Sequence, residues 1–408
     1  MTTIPRTDTL KPKRILIFSF VYYPRFIGGA EIAIKEITDR VSSQDIEFDL
    51  VALRIDKKLP RFERIGNVNV YRIGFAGDQR ASADSLPWYL HLNKYLYPFL
   101  SAYVAHGLNH KHRYDAVWAM MANYSGFGAL FFKLFNMSTP FILTLQEGDP
   151  FEYIEKRVRF IRPLFRMIFR KADCIQAISR YLASFATSQG ATCPVVVVPN
   201  GVDTTHFRQS INESELEDLR VSLGKEPHDV FVITTSRLVV KNAVGDIVAS
   251  LVHLPPYVKL LILGTGYEEA SLRKQAEDLG VSSRVHFLGY VPHKEMPKYL
   301  KISDVFVRPS LSEGFGNSFI EAMAAGIPVI ATPVGGIVDF LVNKETGLLC
   351  DVHDPKDIAR KVEMYMRDVS LRNEIVENAM HMVLDKYDWS VIVTQMREVV
   401  FYKAFDKK

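Results

Sequence analysis

The chain has 408 residues, 48% hydrophobic and 24% charged, and its formal net charge is +4; it reads as a soluble globular protein with material for two domains or more. Its three cysteines, Cys174, Cys193 and Cys350, lack metal-ligand spacing, which excludes a disulfide framework and a zinc site and fits a reducing cytoplasm. The charge is unevenly spread, with 26 Lys and Arg against 17 Asp and Glu over residues 1–200 and 24 against 29 over the remainder.

The first apolar run, RILIFSFVYYP, is closed by Pro24 and has no small-residue cleavage site, so it reads as a strand and not as a signal peptide. No segment approaches the ~18 apolar residues of a membrane-spanning helix. Gly28 and Gly29 follow that strand and precede a helix with apolar Ile32, Ile34, Ile37 and Val41. Two adjacent glycines form either a plain βα turn or a close backbone approach to a phosphate at a helix start. Further strands are expected at FDLVAL, NVYRI, DAVWAMM, FILTLQ, CIQAIS and VVVVP, with helices between them. The aromatic-rich LPWYLHLNKYLYPFLSAYV is either a buried helix or the lining of an acceptor pocket or membrane face. EKRVRFIRPLFRMIFRKAD interleaves Lys156, Arg157, Arg159, Arg162, Arg166, Arg170 and Lys171 with apolar residues. Such a stretch lies on an anionic bilayer or forms an ordinary surface helix whose stripe is core.

The polar segment PNGVDTTHFRQSINESE separates this series from a second one, which places a domain boundary near Val202. The second series comprises VFVITTS, KLLILG, RVHFLG, VFVRPS, PVIATP and GLLCDV, alternating with helical stretches such as EASLRKQAEDLG and DPKDIARKVEMYMRD. The pattern is that of two α/β, Rossmann-like units, whose ligands bind at the strand C-terminal edges. At one such edge, TTSRLVVKN offers Arg237 and Lys241, two cations that either neutralise a diphosphate or are merely solvated. No Asp-x-Asp pair occurs in the chain, which favours a diphosphate held by cations and a helix dipole over one bridged by metal. At another edge, RPSLSEGFGNSFIEAMAAG passes from strand to helix. Gly314 and Gly316 would expose backbone N–H groups there, Glu313 lies in the connecting loop, and Glu321 stands about two turns into the helix. Eight helical residues rise ~12 Å, whereas the carboxylates of a glycosidase sit ~5 to 9.5 Å apart, so the two glutamates read as binding groups for hydroxyls and not as a hydrolytic pair. The plain alternative is a helix cap and a salt bridge.

Over nearly its whole length the chain resembles the retaining glycosyltransferases of the GT-B fold with the E-x7-E motif, the family 4-like or group 1 glycosyltransferases. The resemblance rests on YYPRFIGGAE, PNGVD, SRLVVKN, LGTG, FLGYV, EGFGNSFIE, PVIATPVGG and GLL in that order. It implies an acceptor-binding unit over residues 1–201, a nucleotide-sugar-binding unit over 202–387, a central cleft between them, and a last helix, about 388–408, that packs back on the first unit. By it, Arg237 and Lys241 hold the diphosphate, Glu313 contacts the donor sugar and Glu321 the ribose. Gly28 and Gly29 belong to the donor site, Gly289, Tyr290 and Val291 lie beside the base, and Gly314, Phe315, Gly316, Asn317 and Ser318 contact sugar and phosphate through backbone amides. Many relatives carry a histidine shortly after the strand that corresponds to FILTLQ, where this chain has Gln146 and Glu147. Glutamine cannot act as a base, so Gln146 would be a neutral hydrogen-bonder and Glu147 either a base or a stabiliser of the cationic transition state; Asp149 would cap the following segment.

The resemblance implies transfer of a hexosyl group from a UDP- or GDP-sugar to a saccharide or lipid-linked acceptor in cell-envelope glycan synthesis. No metal or other cofactor and no nucleic acid are expected, and contact with an anionic membrane at the inner face would be peripheral. The other classes left open are a GT-B epimerase or phosphorylase and a noncatalytic sugar-nucleotide-binding subunit.

Overall fold

The structure is a computed structural model that describes residues 11–25, 27–77 and 88–406, with residues 88–91 described by backbone alone. The first sheet contains β1 (Lys13–Phe18), β2 (Ile46–Leu53), β3 (Phe62–Ile65), β4 (Val68–Ile73), β5 (Ala116–Met120), β6 (Phe141–Leu145), β7 (Cys174–Ala177) and β8 (Val195–Val197). Their order is β3-β4-β2-β1-β5-β6-β7-β8. The second sheet contains β9 (Val230–Thr235), β10 (Val258–Leu263), β11 (Val285–Gly289), β12 (Val305–Arg308), β13 (Val329–Ala331) and β14 (Leu348–Leu349), in the order β11-β10-β9-β12-β13-β14. Among the described residues every strand pairing is parallel except that of β3 with β4.

Parallel sheets covered by helices on both faces need continuous apolar strands. Ile15, Leu16, Ile17 and Phe18 of β1 and Leu260, Leu261 and Ile262 of β10 are fully buried accordingly. The helices that cover them are set by local chemistry. Asp354 accepts hydrogen bonds from the N–H groups of Lys356 and Asp357, Pro355 occupies the first turn, and the helix Pro355–Arg367 buries Ile358, Ala359, Val362 and Tyr365. The sequence reading omits β3, whose four residues FERI are too few for a clear period and whose Phe62 is exposed. A two-residue turn with Gly66 at φ +57° folds this edge strand antiparallel onto β4.

The chain passes between the sheets twice, and the two passages lie side by side. Val202 N–H donates to Tyr387 O at 2.8 Å, Trp389 N–H donates to Val202 O at 3.2 Å, and Thr204 Oγ1 donates to Asp388 Oδ2 at 2.6 Å. Gly201 has no substitute here, since a Cβ would stand 2.7 Å from the Trp389 ring. After Asp388 the helical segments Trp389–Gln395, Met396–Phe401 and Tyr402–Phe405 bury Trp389, Ile392, Met396, Val400 and Phe401 in the core of the first sheet. Phe401 packs edge-on to Trp118 at 5.2 Å. Lys407 and Lys408, the end of the expected last helix, lie outside the described residues, as do Phe26, Leu86 and Pro87 of the stretches singled out above.

The aromatic-rich stretch is the long helix Trp88–His112, and it is divided between two environments. The hydroxyl of buried Tyr97 lies 2.9 Å from the carbonyls of both Ser19 and Val51, while Tyr95, Phe99 and Tyr103 are exposed. The basic stretch divides similarly. Phe165, Ile168 and Phe169 are core, so its second half is an ordinary surface helix, whereas Tyr153, Phe160 and Ile161 stand in solvent beside Arg157 and Arg159.

Candidate active site

Each sheet reverses its winding once, between β1 and β5 and between β9 and β12, and in open parallel sheets ligands bind in the crevice at such switch points. Loops from these edges meet. Lys241, on the turn after β9, reaches across to the loop after β6, where its Nζ donates to Gly148 O at 2.7 Å and to Asp149 Oδ1 at 3.1 Å. Asp149 is therefore an ion-pair partner and not a cap: the helix Phe151–Val158 has Pro150 at its N-cap and no capping side chain. Arg237, on the same turn as Lys241, is exposed.

Residues 309–316 join β12 to the helix Asn317–Ala324, and their path depends on glycine at each contact. A Cβ on Gly314 would stand 2.3 Å from Glu147 O, and Gly316 caps the helix at φ +96°. From behind, Gly336 N–H donates to Glu313 O at 3.0 Å, and a Cβ on Gly335 would stand 1.9 Å from that same oxygen. This is why PVIATPVGG belongs to the same constellation as EGFGN although ten residues lie between them. Phe315 turns inward and is buried against Phe340 and Tyr387 at 5.2 and 5.7 Å, so only its backbone is available to a ligand.

Within this loop Glu313 is nearly buried and its Oε2 accepts from Arg308 Nη2. The same guanidinium donates to Ser318 Oγ at 2.8 Å and to Asn242 Oδ1 at 3.1 Å. Glu321 lies about one turn, not two, into the helix, because the helix begins at Asn317. Its Oε1 is 3.2 Å from His293 Nε2, and that contact holds the His293 pKa above the usual imidazole value. The His293 ring stacks on His206 at 5.5 Å. Gly289, at φ +66°, accepts from Gly264 N–H at 2.7 Å through its carbonyl, Tyr290 is largely exposed, and Val291 packs against the core.

On the first sheet's side, the Gln146 amide pairs with Asn200 at 3.1 and 3.3 Å, and Asn200 Nδ2 also donates to Asn317 Oδ1 at 3.2 Å. An uncharged amide relay thus crosses from the loop after β6 to the helix start in the second unit. Glu147 is buried. One carboxyl oxygen accepts from Ala122 N–H at 2.7 Å and the other has no partner, and burial pushes the carboxyl up to about 7. Gly28 N–H donates to Glu31 Oε2 at 2.9 Å, the half of a capping box open to a residue without a side chain, so the first helix supplies its own carboxylate to the group that was expected to face a phosphate. Gly29 lies across from Asn317, whose Nδ2 is 3.8 Å from where its Cβ would be.

The family Glycosyltransferase Family 4 matches residues 27–206, and Glycosyl transferases group 1 matches residues 216–382. The chain belongs to the family 4, group 1 glycosyltransferases. An uncharacterized glycosyltransferase of Methanocaldococcus jannaschii is 26% identical over 94% of this chain and 96% of its own length. The GDP-mannose-dependent alpha-(1-6)-phosphatidylinositol monomannoside mannosyltransferase of Mycolicibacterium smegmatis is 29% identical over 59% of this chain and 65% of its own. The solved structure of HepE from Anabaena in complex with UDP and glucose has a TM-score of 0.75 at 20% identity, covering 96% of this chain and 100% of that one. The fold is GT-B.

In this glycosyltransferase Arg237, Lys241, Glu313 and Glu321 are legible in the sequence, but the roles of the residues around them are not. Asn200 stands in PNGVD and Asn242 in SRLVVKN with no role that the motif itself assigns, and His293 carries no local signal. Arg308 did carry one, since a charged residue at the end of a buried strand needs a partner.

Proposed function

We propose that this glycosyltransferase moves a hexosyl group from a UDP- or GDP-linked sugar to a saccharide or lipid-linked acceptor, with retention and without a metal ion. The observation that supports the reading is the meeting of Lys241, Glu313 and Gly314 around Gly148 in the loop after β6, with Arg237 on the same turn as Lys241 and Glu321 on the helix that follows Glu313. Arg237 and Lys241 would neutralise the diphosphate as the sugar leaves. Glu313 would align the sugar, and Glu321, oriented by His293, would take the ribose hydroxyls. With Gln146 held in an amide pair, no strong base stands at that position. The leaving phosphate, on the same face as the incoming hydroxyl, would accept the acceptor proton. The mannosyltransferase relative, named for a phosphatidylinositol monomannoside, supports a lipid-linked acceptor, and a Rhizobium meliloti relative named for lipopolysaccharide core biosynthesis supports a role in cell-envelope glycan synthesis.

The experiment is a thermal-shift screen of UDP-, GDP- and ADP-sugars, followed by transfer from the best binder to a crude lipid-linked acceptor fraction in the presence of EDTA. Product with the donor's anomeric configuration is expected, at a rate little changed by the chelator. Activity lost in EDTA and restored by manganese rejects the metal-free part, inverted product rejects retention, and equal hydrolysis or epimerisation without transfer rejects the transferase reading.

A further inference from the structure

Arg308 ends a strand whose other residues, Val305, Phe306 and Val307, are fully buried. Its side chain is 12% exposed, and the guanidinium lies over the Phe319 ring at 5.5 Å. Burying an ion pair is seldom a net gain over an apolar pair of the same volume, and here the Arg308 Nε is left without a partner, so fold stability is a poor reason for a cation at this place. Its other donors explain it better. They touch three separate segments: Asn242, next to Lys241 on the turn after β9, Ser318 in the first turn of the helix, and Glu313 in the loop between. The contact to Glu313 uses Oε2 alone. Glu313 Oε1 is turned to the other side, 3.8 Å from where a Cβ on Gly148 would stand, and so faces the loop after β6 across the interdomain crevice.

We propose that Arg308 is a positioning residue for the donor sugar. It anchors Glu313 through Oε2 so that Oε1 is presented to the crevice, and its bonds to Asn242 and Ser318 hold the guanidinium itself in place for that contact. Arg308 sits behind Glu313 and touches no substrate atom. The planar fork of arginine serves three acceptors in fixed directions, which a lysine ammonium on a flexible stem does only in part. This inference rests on the donor-binding reading of Glu313 given above.

Isothermal titration of the full chain with UDP, GDP, UDP-glucose, UDP-N-acetylglucosamine and GDP-mannose measures two quantities, the affinity for the diphosphate and the gain that the sugar adds to it. Arg308→Met is expected to weaken the nucleotide-sugar about tenfold, the order of a lost charged hydrogen bond, and to leave the diphosphate within about twofold. Arg308→Lys recovers part of the sugar gain. The double variant Arg308→Met/Glu313→Gln binds the nucleotide-sugar no more weakly than Glu313→Gln alone, because Arg308 acts only through that carboxylate. Thermal unfolding of each variant accompanies the titrations. Should Arg308→Met not fold, Arg308→Lys and the double variant, which removes both charges together, carry the same comparison. Sugar gain retained in Arg308→Met or unimpaired in Arg308→Lys, losses that add in the double variant, or equal weakening of diphosphate and nucleotide-sugar overturns the positioning role. A natural chain that binds a diphosphate but gains nothing from any of the three sugars also overturns it. Failure of the natural chain to bind UDP or GDP instead overturns the donor-site reading itself.

Discussion

Three carboxylates near the crevice differ in their surroundings, and the differences assign them different experiments. Glu313 is held by Arg308 and Glu321 by His293. Glu313→Gln keeps the side-chain volume but loses the charge, so turnover is expected to fall by roughly 10²- to 10³-fold with the diphosphate still bound. Glu321→Ala is expected to weaken nucleotide binding about tenfold; calorimetry that finds the two variants equally impaired for free nucleotide rejects the division of roles. Glu147 is a different case. Burial raises its carboxyl from its ordinary 4.5 to about 7, so between those values the folded chain holds a proton that the unfolded chain has lost, and stability falls as pH rises through that window. Over the whole window the loss is roughly 3 kcal/mol. Glu147→Gln keeps an acceptor for Ala122 N–H and has no charge to desolvate. Urea unfolding at pH 5 and pH 8 is therefore expected to find the natural chain weakened more at the higher pH than the variant, in which the raised His293 alone of the two still contributes; a pH difference equal in both chains rejects the raised carboxyl.

At the scale of elements, the helix Phe151–Val158 rests Phe151, Ile154 and Val158 against the core, but its cations and the turn Arg159–Ile161 that follows stand in solvent. Phe160 is 81% exposed, with the Arg159 guanidinium over its ring at 4.3 Å, and Lys156 and Arg157 are exposed beside them. The next helix has spent its apolar face on Phe165, Ile168 and Phe169. A membrane-docking role, proposed here for the first unit, therefore falls on residues 153–161 and not on the whole run of seven cations. Each basic residue near an anionic surface contributes about 1 kcal/mol, so Arg157→Gln/Arg159→Gln/Phe160→Ser is expected to lower partition to vesicles of phosphatidylserine and phosphatidylcholine at least tenfold, and 1 M salt to release the natural chain. Equal sedimentation with neutral and anionic vesicles, unchanged in the variant, rejects docking and leaves the glycosyltransferase assignment intact.

For the molecule as a whole, the contact of interest is the one that joins the two units across the crevice. Lys241, assigned above to the donor diphosphate, is bound to Gly148 O and Asp149 Oδ1, so a diphosphate arriving there must displace a carboxylate. Asp149→Asn removes the competing charge. Because a partly exposed pair is worth at most about 1 kcal/mol, diphosphate affinity is expected to rise about two- to fivefold, as read by titration; weaker binding in the variant means that Asp149 helps to build the site and does not compete for it.

The two series of buried parallel strands, the glycine-containing turns at their ends and the four charged residues near the second sheet's switch point are all legible along the chain. Each of these is a local property: a period, an apolar run, or a spacing within one βα unit. What tertiary structure decided is which groups answer those charges. Arg308 and Glu313 are near in sequence, but Asn242 and Lys241 come from another strand, Gly148 and Asp149 from the other sheet, and Asn200 from the passage between them. The burial of Glu147 likewise follows from Ala122 and from the close approach of Gly314. Neither leaves a mark in the residues around it. Hydrogen bonds between distant segments depend on how two sheets are set against each other, and no pattern read along one strand or helix contains that information.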